Sequence, residues 1–298
     1  MRHQITLLLL AAIGRACLGW APPRPLARAS ARRFSAAAAA PPSATSPRVV
    51  VFTDMDETLI AKKSTGFVIK FLVAKRAWPR LLLLPCLVAL LIPLSKLSVR
   101  RRRVLGRELG LDGRTAAVRA MYWFAFRGMR VDVATRIAAS ALPALYAREL
   151  QEPAASAVLA ADAAVVITAS PEFMATPWLS RFLGIKPDAV DGATLETTRP
   201  RDPAAKARFT GRTLRLPMGD VKADLFNARK RPGAEDPALL RDAKTVGYGD
   251  HPTDVPFLEL CDEAVLVEPI RERPESIKYV PAAPFAKWDQ LAEQPPPQ

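Results

Sequence analysis

The sequence predicts an α/β protein with a doubly wound, parallel sheet and a helical insert after the first strand. Short apolar runs of strand length recur along the chain, and most of them end in polar residues. Helical stretches separate the later runs, and strands that alternate with helices are typical of a doubly wound sheet. About 100 residues separate the first two runs, far more than a crossover helix needs.

Four of these runs predict fully buried strands, because continuous apolar runs suit the interior of a parallel sheet. They are RVVVFTD (48–54), AAVVITAS (163–170), AKTVGYGD (243–250) and EAVLVEP (263–269). The predicted helices between them include EFMATPWLSRFLG (172–184) and DVKADLFNARK (220–230). Two further segments, GATLETT (192–198) and RFTGRTLRL (208–216), predict a hairpin around a polar loop.

These elements divide the chain into a core, a cap and two ends. We expect residues 48–60 and 160–285 to form the α/β core, and the inserted residues 61–159 to form a helical cap. The proline-rich residues 286–298 predict a disordered tail.

The cap contains an uncharged apolar run from Leu81 to Ser95, which Pro85 and Pro93 interrupt. A straight membrane-spanning helix needs about 20 such residues, so the run is short for a span. We expect it to lie in a membrane interface, held against anionic headgroups by Arg100–Arg103. The alternatives are a buried core for a soluble cap and a true span.

The distribution of charge argues against a nucleic-acid partner, although the formal net charge is +14. Residues 1–47 contribute +6 and residues 60–107 contribute +12, and neither segment contains an acid. Because both segments are also apolar, they favour targeting or an anionic membrane surface. The three cysteines, Cys17, Cys86 and Cys261, are too few and too scattered for a disulfide framework or a zinc site.

Residues 1–47 predict a targeting presequence. A short basic start, an apolar stretch and small residues near Gly19 are typical of a secretory signal peptide, and the Ala-, Ser-, Pro- and Arg-rich stretch that follows is typical of a transit peptide. Together they predict import into a complex plastid. The alternative is a linker behind a membrane anchor, which would place the protein in a secretory-pathway membrane.

Three acids crowd the end of the first predicted strand: Asp54, Asp56 and Glu57. Like charges at this spacing repel, so the arrangement indicates a bound cation or a carboxylate that attacks a substrate. Parallel strands bring chemistry to their carboxyl ends. The other polar residues expected at this edge or at a nearby helix start are Ser170, Lys222, Asp250 and Asp254.

In these residues the sequence resembles the haloacid dehalogenase superfamily of phosphohydrolases. DMDET (54–58), ITAS (167–170), GDVKADLF (219–226) and GDHPTD (249–254) match its four motifs in order, over about residues 48–270. One departure is Glu57, at a position where glycine is commonest. The acid at position 56 favours a phosphatase or a phosphomutase, because the dehalogenases lack it and P-type ATPases have threonine there.

The resemblance implies a role for each residue. Asp54 would be the nucleophile that forms an aspartyl phosphate, and Asp56 would be the general acid and then the general base. Ser170 and Lys222 would hold the phosphoryl oxygens. Mg²⁺ would be bound by Asp54, by the backbone carbonyl of Asp56 and by Asp250. Two residues would support them: Thr58 would fix the loop, and Asp254 would orient Lys222 or a metal-bound water.

The residues themselves leave two of these roles open. Asp254 could be a simple helix N-cap, and Thr168 could share the role of Ser170.

Longer segments resemble two narrower groups. VVITASPEFMATPWLSRFLG, LPALYAREL and GYGDHPTDVPFLELC are similar to the N-terminal phosphatase-like domain of land-plant glycerol-3-phosphate acyltransferases and to bacterial phosphatidylglycerophosphatase C. The HxxxxD motif of those acyltransferases is absent from this sequence, whose two histidines are His3 and His251.

The resemblance therefore implies hydrolysis of a phosphorylated glycerolipid, either lysophosphatidate or phosphatidylglycerophosphate. The alternatives are a phosphatase for a soluble metabolite such as phosphoserine and a non-catalytic module that binds lipid phosphates. We expect the run Leu81–Leu94 and the aromatic residues Tyr122, Trp123, Phe124 and Phe126 to supply an apolar pocket for the leaving group.

Overall fold

The computed structural model describes residues 48–84, 86, 87, 89, 113–198, 206–231, 240, 242–268 and 274–285. The predicted presequence, most of the apolar run 81–95, Arg100–Arg103 and the predicted tail lie outside the described residues.

The described chain alternates between strands and helices after the insert. The strands are β1 (Arg48–Thr53), β2 (Gln151–Glu152), β3 (Ala163–Pro171), β4 (Val190–Thr197), β5 (Phe209–Arg215), β6 (Ala243–Gly249), β7 (Glu263–Leu266), β8 (Lys278–Tyr279) and β9 (Ala283–Pro284). The helices are α1 (Ser64–Ala74), α2 (Gly113–Phe126), α3 (Val131–Ala141), α4 (Pro143–Ala147), α5 (Ala154–Ala160), α6 (Glu172–Leu183), α7 (Asp220–Lys230) and α8 (Val255–Leu258), with a 3₁₀ turn at Pro187–Ala189.

The central sheet has the strand order β5-β4-β3-β1-β6-β7-β8. Every neighbouring pair is parallel except β4 and β5, which form the predicted antiparallel hairpin. The strands β2 and β9 form a small separate antiparallel pair. The sheet and its covering helices confirm the predicted α/β fold with a mostly parallel, doubly wound sheet.

Strand β1 is buried on both faces, which explains its continuous apolar sequence. Val51 belongs to the hydrophobic cluster on the cap side, whereas Val50 and Phe52 belong to the cluster on the opposite face. Side chains alternate between the two faces of a strand, so neighbouring residues enter different layers of the core. Because β1 lies between β3 and β6, the acids that follow it emerge at the centre of the sheet edge.

The helices of the cap share their core with the α/β domain. Phe67 of α1 stacks on Tyr146 of α4 with 3.8 Å between ring centroids, and Tyr146 stacks on Trp178 of α6 at 5.2 Å. Aromatic pairs at these distances add stabilisation beyond their buried area. The cap is therefore anchored on helix α6, which follows β3 directly.

Of the first four residues of the apolar run, two are buried and two are exposed. Leu81 and Leu84 are each 7% exposed, whereas Leu82 is 77% and Leu83 is 56% exposed. Within the described residues, no helix combines the length and the apolar character that crossing a membrane requires.

Candidate active site

The loop after β1 holds Asp54 at the edge of the sheet. The backbone N–H of Asp54 donates to the carbonyl of Tyr248 in β6 at 3.0 Å, which continues the pairing of the two strands. Asp54 Oδ1 accepts a hydrogen bond of 2.6 Å from the N–H of Met55. Met55 is fully buried, so the carboxylate projects from an anchored loop.

Glu57 has a backbone φ of +59°, in the left-handed region. Residues other than glycine rarely adopt this conformation, which gives a physical reason for glycine at this position of the motif. The backbone carbonyls of Glu57 and Thr58 accept hydrogen bonds of 2.7 Å and 3.2 Å from Gln151 Nε2, and these contacts hold the turn.

Lys222 lies at the centre of the site and is 3% exposed. Its Nζ is 2.6 Å from Asp254 Oδ1 and 2.9 Å from Asp54 Oδ2. It belongs to the first turn of α7, as the third motif predicts. Burial lowers the pKa of a lysine, but the adjacent carboxylates of Asp254 and Asp54 outweigh that effect and hold the pKa of Lys222 above its usual value.

Asp254 orients Lys222 and the loop after β6. Its Oδ2 accepts hydrogen bonds from the N–H groups of Asp250, at 3.2 Å, and His251, at 3.1 Å. It occupies the N-cap position of α8 but makes no side-chain capping bond, so the simple N-cap alternative is not what the structure shows. A Cβ on Gly249 would lie 2.8 Å from Asp254 Cβ, and only glycine leaves this space.

Three carboxylates form a candidate site for a divalent cation. Oxygen atoms of Asp54, Asp250 and Asp254 lie within 4.8 Å of one another. Burial and the neighbouring Asp254 raise the pKa of Asp250 to about 7, and burial raises the pKa of Asp54 well above its usual value. Carboxylate oxygens are the hard ligands that divalent cations such as Mg²⁺ prefer. A bound cation would also supply the positive charge that these buried carboxylates need in order to ionise.

The contacts of these acids separate their roles. Asp254 is fully buried, with Oδ1 accepting from Lys222 and Oδ2 from two backbone N–H groups. Asp54 and Asp250 line the open cleft, so they are the carboxylates better placed to ligate a cation. Thr58 donates from Oγ1 to Asp250 Oδ1 at 3.1 Å and thereby fixes that carboxylate. The role expected for Thr58 is to fix the loop, and the structure shows this contact with Asp250 in addition to the placement of Thr58 in that loop.

Asp56 faces helix α1 and meets a residue that the sequence reasoning missed. The N–H of Ser64 donates to Asp56 Oδ2 at 2.7 Å, and Ser64 Oγ contacts both Asp56 Oδ1 and Ser170 Oγ. Burial raises the pKa of Asp56 to about 6, against the opposing effect of the Ser64 hydrogen bonds. A serine at the first position of an apolar helix is the sequence signal that could have indicated Ser64.

Ser170 is fully buried at the end of β3, and its Oγ lies next to that of Ser64. Its backbone N–H donates to Thr168 Oγ1 at 3.1 Å. Thr168 is therefore engaged in holding the backbone of Ser170, and Ser170 is the hydroxyl that reaches the Asp56 side of the site.

A cleft of about 330 Å³ opens above the acids. Its apolar wall comes mainly from α2 and from the segment before α7: Val118, Met121, Tyr122, Pro217 and Met218. Tyr122 is 1% exposed and donates from its hydroxyl to the carbonyl of Ala169 at 2.7 Å.

Of the four aromatic residues expected in this pocket, Tyr122 lines the cleft, whereas Trp123, Phe124 and Phe126 do not. Trp123 is 47% exposed on a different surface, and Phe126 is fully buried in the core. The rotation of helix α2 decides this, because consecutive residues of a helix point about 100° apart.

Positively charged and polar residues line the mouth of the same cleft. Lys63 forms an ion pair with Glu57 at 3.1 Å. Arg114, in the first turn of α2, lies 2.7 Å from a ring nitrogen of His251, measured from its Nη1. This contact joins the cap to the loop that presents Asp250. None of Lys63, Arg114 and His251 was predicted from the sequence to belong to the site.

A family model described as haloacid dehalogenase-like hydrolase matches residues 51–259. The chain belongs to this family. The match includes all four motifs whose residues meet at the sheet edge. Family membership and the clustered acids together identify a phosphatase, and they confirm the enzyme class that the sequence predicts.

Among curated proteins, the chain is similar to "Glycerol-3-phosphate acyltransferase RAM2" from Petunia hybrida, with 27% identity over 155 residues. The match covers 52% of this chain and 29% of that protein, so the chain spans well under half the length of this relative.

Solved structures with the same fold include a protein of unknown function from Bordetella pertussis Tohama I. The TM-score is 0.53 at 18% identity, and the match covers 76% of this chain and 92% of the other. A probable phosphoserine phosphatase from Vibrio cholerae has a TM-score of 0.46 at 14% identity, with 82% and 64% covered. At these identities the likeness concerns the fold alone.

Proposed function

We propose that the protein is a Mg²⁺-dependent phosphatase that hydrolyses a phosphorylated glycerolipid, of the lysophosphatidate or phosphatidylglycerophosphate class, through an aspartyl phosphate. The catalytic part rests on one observation: Lys222 bridges Asp54 and Asp254 beside Asp250 at the carboxyl edge of the sheet. The lipid part rests on the apolar wall of the cleft.

In the first step, a carboxylate oxygen of Asp54 attacks phosphorus, so that an O–P bond forms and the P–O bond to the leaving alcohol breaks. Protonated Asp56 gives its proton to the departing oxygen, and its raised pKa of about 6 makes the protonated fraction larger than that of an ordinary aspartate. The Lys222 ammonium and the Ser170 hydroxyl hold the phosphoryl oxygens.

In the second step, the Asp56 carboxylate takes a proton from a water that attacks phosphorus. The bond to Asp54 breaks, inorganic phosphate leaves, and both aspartates return to their starting states. Mg²⁺, held by Asp54, Asp250 and the backbone carbonyl of Asp56, would neutralise the clustered acids and the charge that develops on the phosphoryl group.

The cleft supports a leaving group with an apolar part. Val118, Met121, Tyr122 and Met218 line the cleft that the acids also line, so the alcohol that leaves phosphorus would face them. Each buried methylene contributes about 0.8 kcal/mol, whereas a small polar alcohol gains none of this. The similarity to a glycerol-3-phosphate acyltransferase of Petunia hybrida also favours glycerolipid chemistry.

The mouth of the cleft disfavours the soluble alternative, phosphoserine. Lys63 and Arg114 lie there, and the acid beside them, Glu57, is already paired with Lys63. A substrate ammonium at the mouth of the cleft would therefore meet these positive charges.

A substrate panel tests the proposal. Long-chain lysophosphatidate and phosphatidylglycerophosphate are compared with glycerol 3-phosphate and phosphoserine, with lipids dispersed in detergent below their aggregation limit. We expect kcat/KM to favour a lipid by at least about tenfold, the equivalent of about 1.4 kcal/mol. A higher kcat/KM for either soluble ester would refute the lipid assignment, and no phosphate release from any substrate would favour the non-catalytic module.

A variant of the wall sharpens the comparison. Met121→Ser removes apolar surface from the cleft without touching the acids, so kcat/KM should fall more for the lipid than for glycerol 3-phosphate. Equal losses on both substrates would show that the wall does not contact the acyl chain.

We also propose plastid import through residues 1–47, with a secretory-pathway membrane as the alternative. A fluorescent protein fused behind these residues should enter the plastid of an alga with complex plastids. Retention in the secretory pathway would contradict plastid import.

A further inference from the structure

A second cleft, of about 300 Å³, lies at the opposite end of helix α1 from the catalytic acids. Five of the nine residues that line it are cations and none is an acid: Lys75, Arg76, Arg80, Arg130 and Arg208. We call it the basic cleft. Ser64 at the start of α1 contacts Asp56, whereas Lys75 follows the end of α1, so the 11-residue helix separates the two sites by about 16 Å.

Backbone carbonyls hold two of the five cations of the basic cleft. Arg80 donates through Nη1 and Nη2 to the carbonyls of Ala125 and Arg127 at the end of α2, where arginine suits the negative end of the helix. Arg208 Nη1 donates to the carbonyl of Gly128 at 2.7 Å. Carbonyls position these guanidinium groups without cancelling their charge, so the cleft stays strongly positive.

Within the described part of the chain, Arg130 is the lining cation that pairs with an acid. Arg130 Nη2 lies 2.7 Å from Asp132 Oδ2, and Arg136 Nη2 lies 3.8 Å from the same oxygen. Because Asp132 is shared by Arg130 and Arg136, it cannot balance the charges of both, and this part of the cleft keeps an excess of positive charge.

Exposed apolar side chains adjoin the basic cleft. Ala77 lines it, and the next residue, Trp78, is 52% exposed. Leu82 is 77% and Leu83 is 56% exposed in the helical turns that follow. A tryptophan and leucines beside lysine and arginine are the residue types that a bilayer interface accepts, because the rings and aliphatic groups enter the acyl boundary while the cations meet headgroups.

We propose that the basic cleft together with Trp78, Leu82 and Leu83 docks the protein on a membrane surface that carries anionic phospholipid headgroups. The cations supply charge complementarity, and the exposed apolar groups favour a bilayer over nucleic acid or free phosphate, neither of which would cover them. This surface lies apart from the catalytic cleft, so docking does not depend on the proposed catalytic activity.

Vesicle sedimentation with the full chain tests the proposal. The vesicles are phosphatidylcholine with and without phosphatidylglycerol, and the test variant is K75Q/R76Q, which removes two charges from the cleft. The matched control is K186Q/R212Q, which removes two charges from exposed positions outside it. We expect the test variant to bind phosphatidylglycerol vesicles about thirtyfold more weakly than the control, which corresponds to about 2 kcal/mol.

Turnover of p-nitrophenyl phosphate separates this proposal from the catalytic one. Both variants should keep wild-type turnover, because neither touches the acids or the catalytic cleft. Equal vesicle binding by the test variant and the control would overturn the proposal. RNA binding that depends on the cleft, without vesicle binding that depends on it, would overturn it in favour of a nucleic-acid surface.

The apolar side chains are tested with W78S/L82S. This variant should still bind phosphatidylglycerol vesicles at low salt and should lose more binding than the wild type when salt rises, because screened charges then act alone. A salt dependence identical to that of the wild type would show that Trp78 and Leu82 do not contact the membrane.

Discussion

Lys222 and Asp254 form a buried ion pair in which Nζ lies 2.6 Å from Oδ1 and the two side chains are 4% and 1% exposed. The same ammonium lies 2.9 Å from Oδ2 of Asp54. The ammonium of Lys222 therefore contacts both Asp254 and the candidate nucleophile Asp54, and the contact with Asp254 fixes its position. The second oxygen of Asp254 ties this pair to the backbone of the loop that presents Asp250.

Replacing Asp254 with Asn should weaken phosphate binding as well as stability. Lys222 would then have Asp54 as its nearby carboxylate and would be held away from the phosphoryl position. We expect the inhibition constant of inorganic phosphate to rise at least about tenfold, and unfolding to cost about 3 kcal/mol less because a buried pair is broken. The control is Asp224→Asn, an exposed acid on the same helix as Lys222. Lower stability with an unchanged inhibition constant for phosphate would show that Asp254 stabilises the fold but does not position Lys222 for phosphate binding.

Replacing Asp54 with Asn should abolish phosphate release, because an amide does not form the aspartyl phosphate and ligates Mg²⁺ poorly. We expect kcat to fall by at least about a thousandfold, with no phosphorylated protein detectable by mass spectrometry. Asp220→Asn, an exposed position at the start of α7, is the matched control. Turnover within tenfold of the wild type would exclude Asp54 as the nucleophile.

The role of Asp56 should appear in the leaving-group and pH dependence. Asp56→Asn should retain slow phosphoenzyme formation from p-nitrophenyl phosphate, because that leaving group needs little protonation. In the wild type, the acid must be protonated to act, so the turnover of alkyl phosphates should fall as pH rises above the Asp56 pKa, which burial raises to about 6. Equal losses on good and poor leaving groups would argue against Asp56 as the acid.

Mg²⁺ should stabilise the protein more at pH 8 than at pH 5. Burial raises the pKa of Asp250 to about 7 and also raises that of Asp54. The stability that protonation provides is present below the unfolded-state pKa of about 4 and is lost as pH rises through about 7. A divalent cation binds the deprotonated acids and replaces that stability, so the increase in Tm on adding MgCl₂ should grow with pH.

Differential scanning fluorimetry at the two pH values measures this increase, with Asp250→Asn as the control that should remove most of it. An equal increase at both pH values, or one that Asp250→Asn retains, would contradict a cation held by these acids.

Arg114→Gln should distinguish between the candidate lipids. Arg114 lies at the mouth of the cleft beside His251, where a phosphodiester on the leaving alcohol would meet its charge. We expect kcat/KM to fall about tenfold for phosphatidylglycerophosphate and much less for lysophosphatidate, whose leaving group has no such anion. The control is Arg119→Gln, on the same helix but outside this cleft. A similar loss on both lipids would show that Arg114 acts through its contact with His251 between cap and core, and not through the phosphodiester of the substrate.

Much of the fold follows from local sequence patterns. The runs at 48–54 and 163–170 are apolar throughout because β1 and β3 lie in the middle of a parallel sheet with both faces covered. The motif residues follow these strands directly, and parallel strands bring their carboxyl ends together. The meeting of Asp54, Lys222 and Asp250 could therefore be predicted from the order of strands and helices.

Contacts between distant segments required the tertiary structure. Ser64 and Ser170 are 106 positions apart, and Arg114 and His251 are 137 positions apart, yet each pair is in contact across the boundary of cap and core. Sequence periodicity predicts that a helix has a buried face, but the rotation and position of that helix depend on the side chains of the elements it packs against. For this reason the sequence alone was enough to predict the candidate catalytic acids, whereas packing decided that Tyr122 lines the cleft while its neighbour Trp123 lies on another surface.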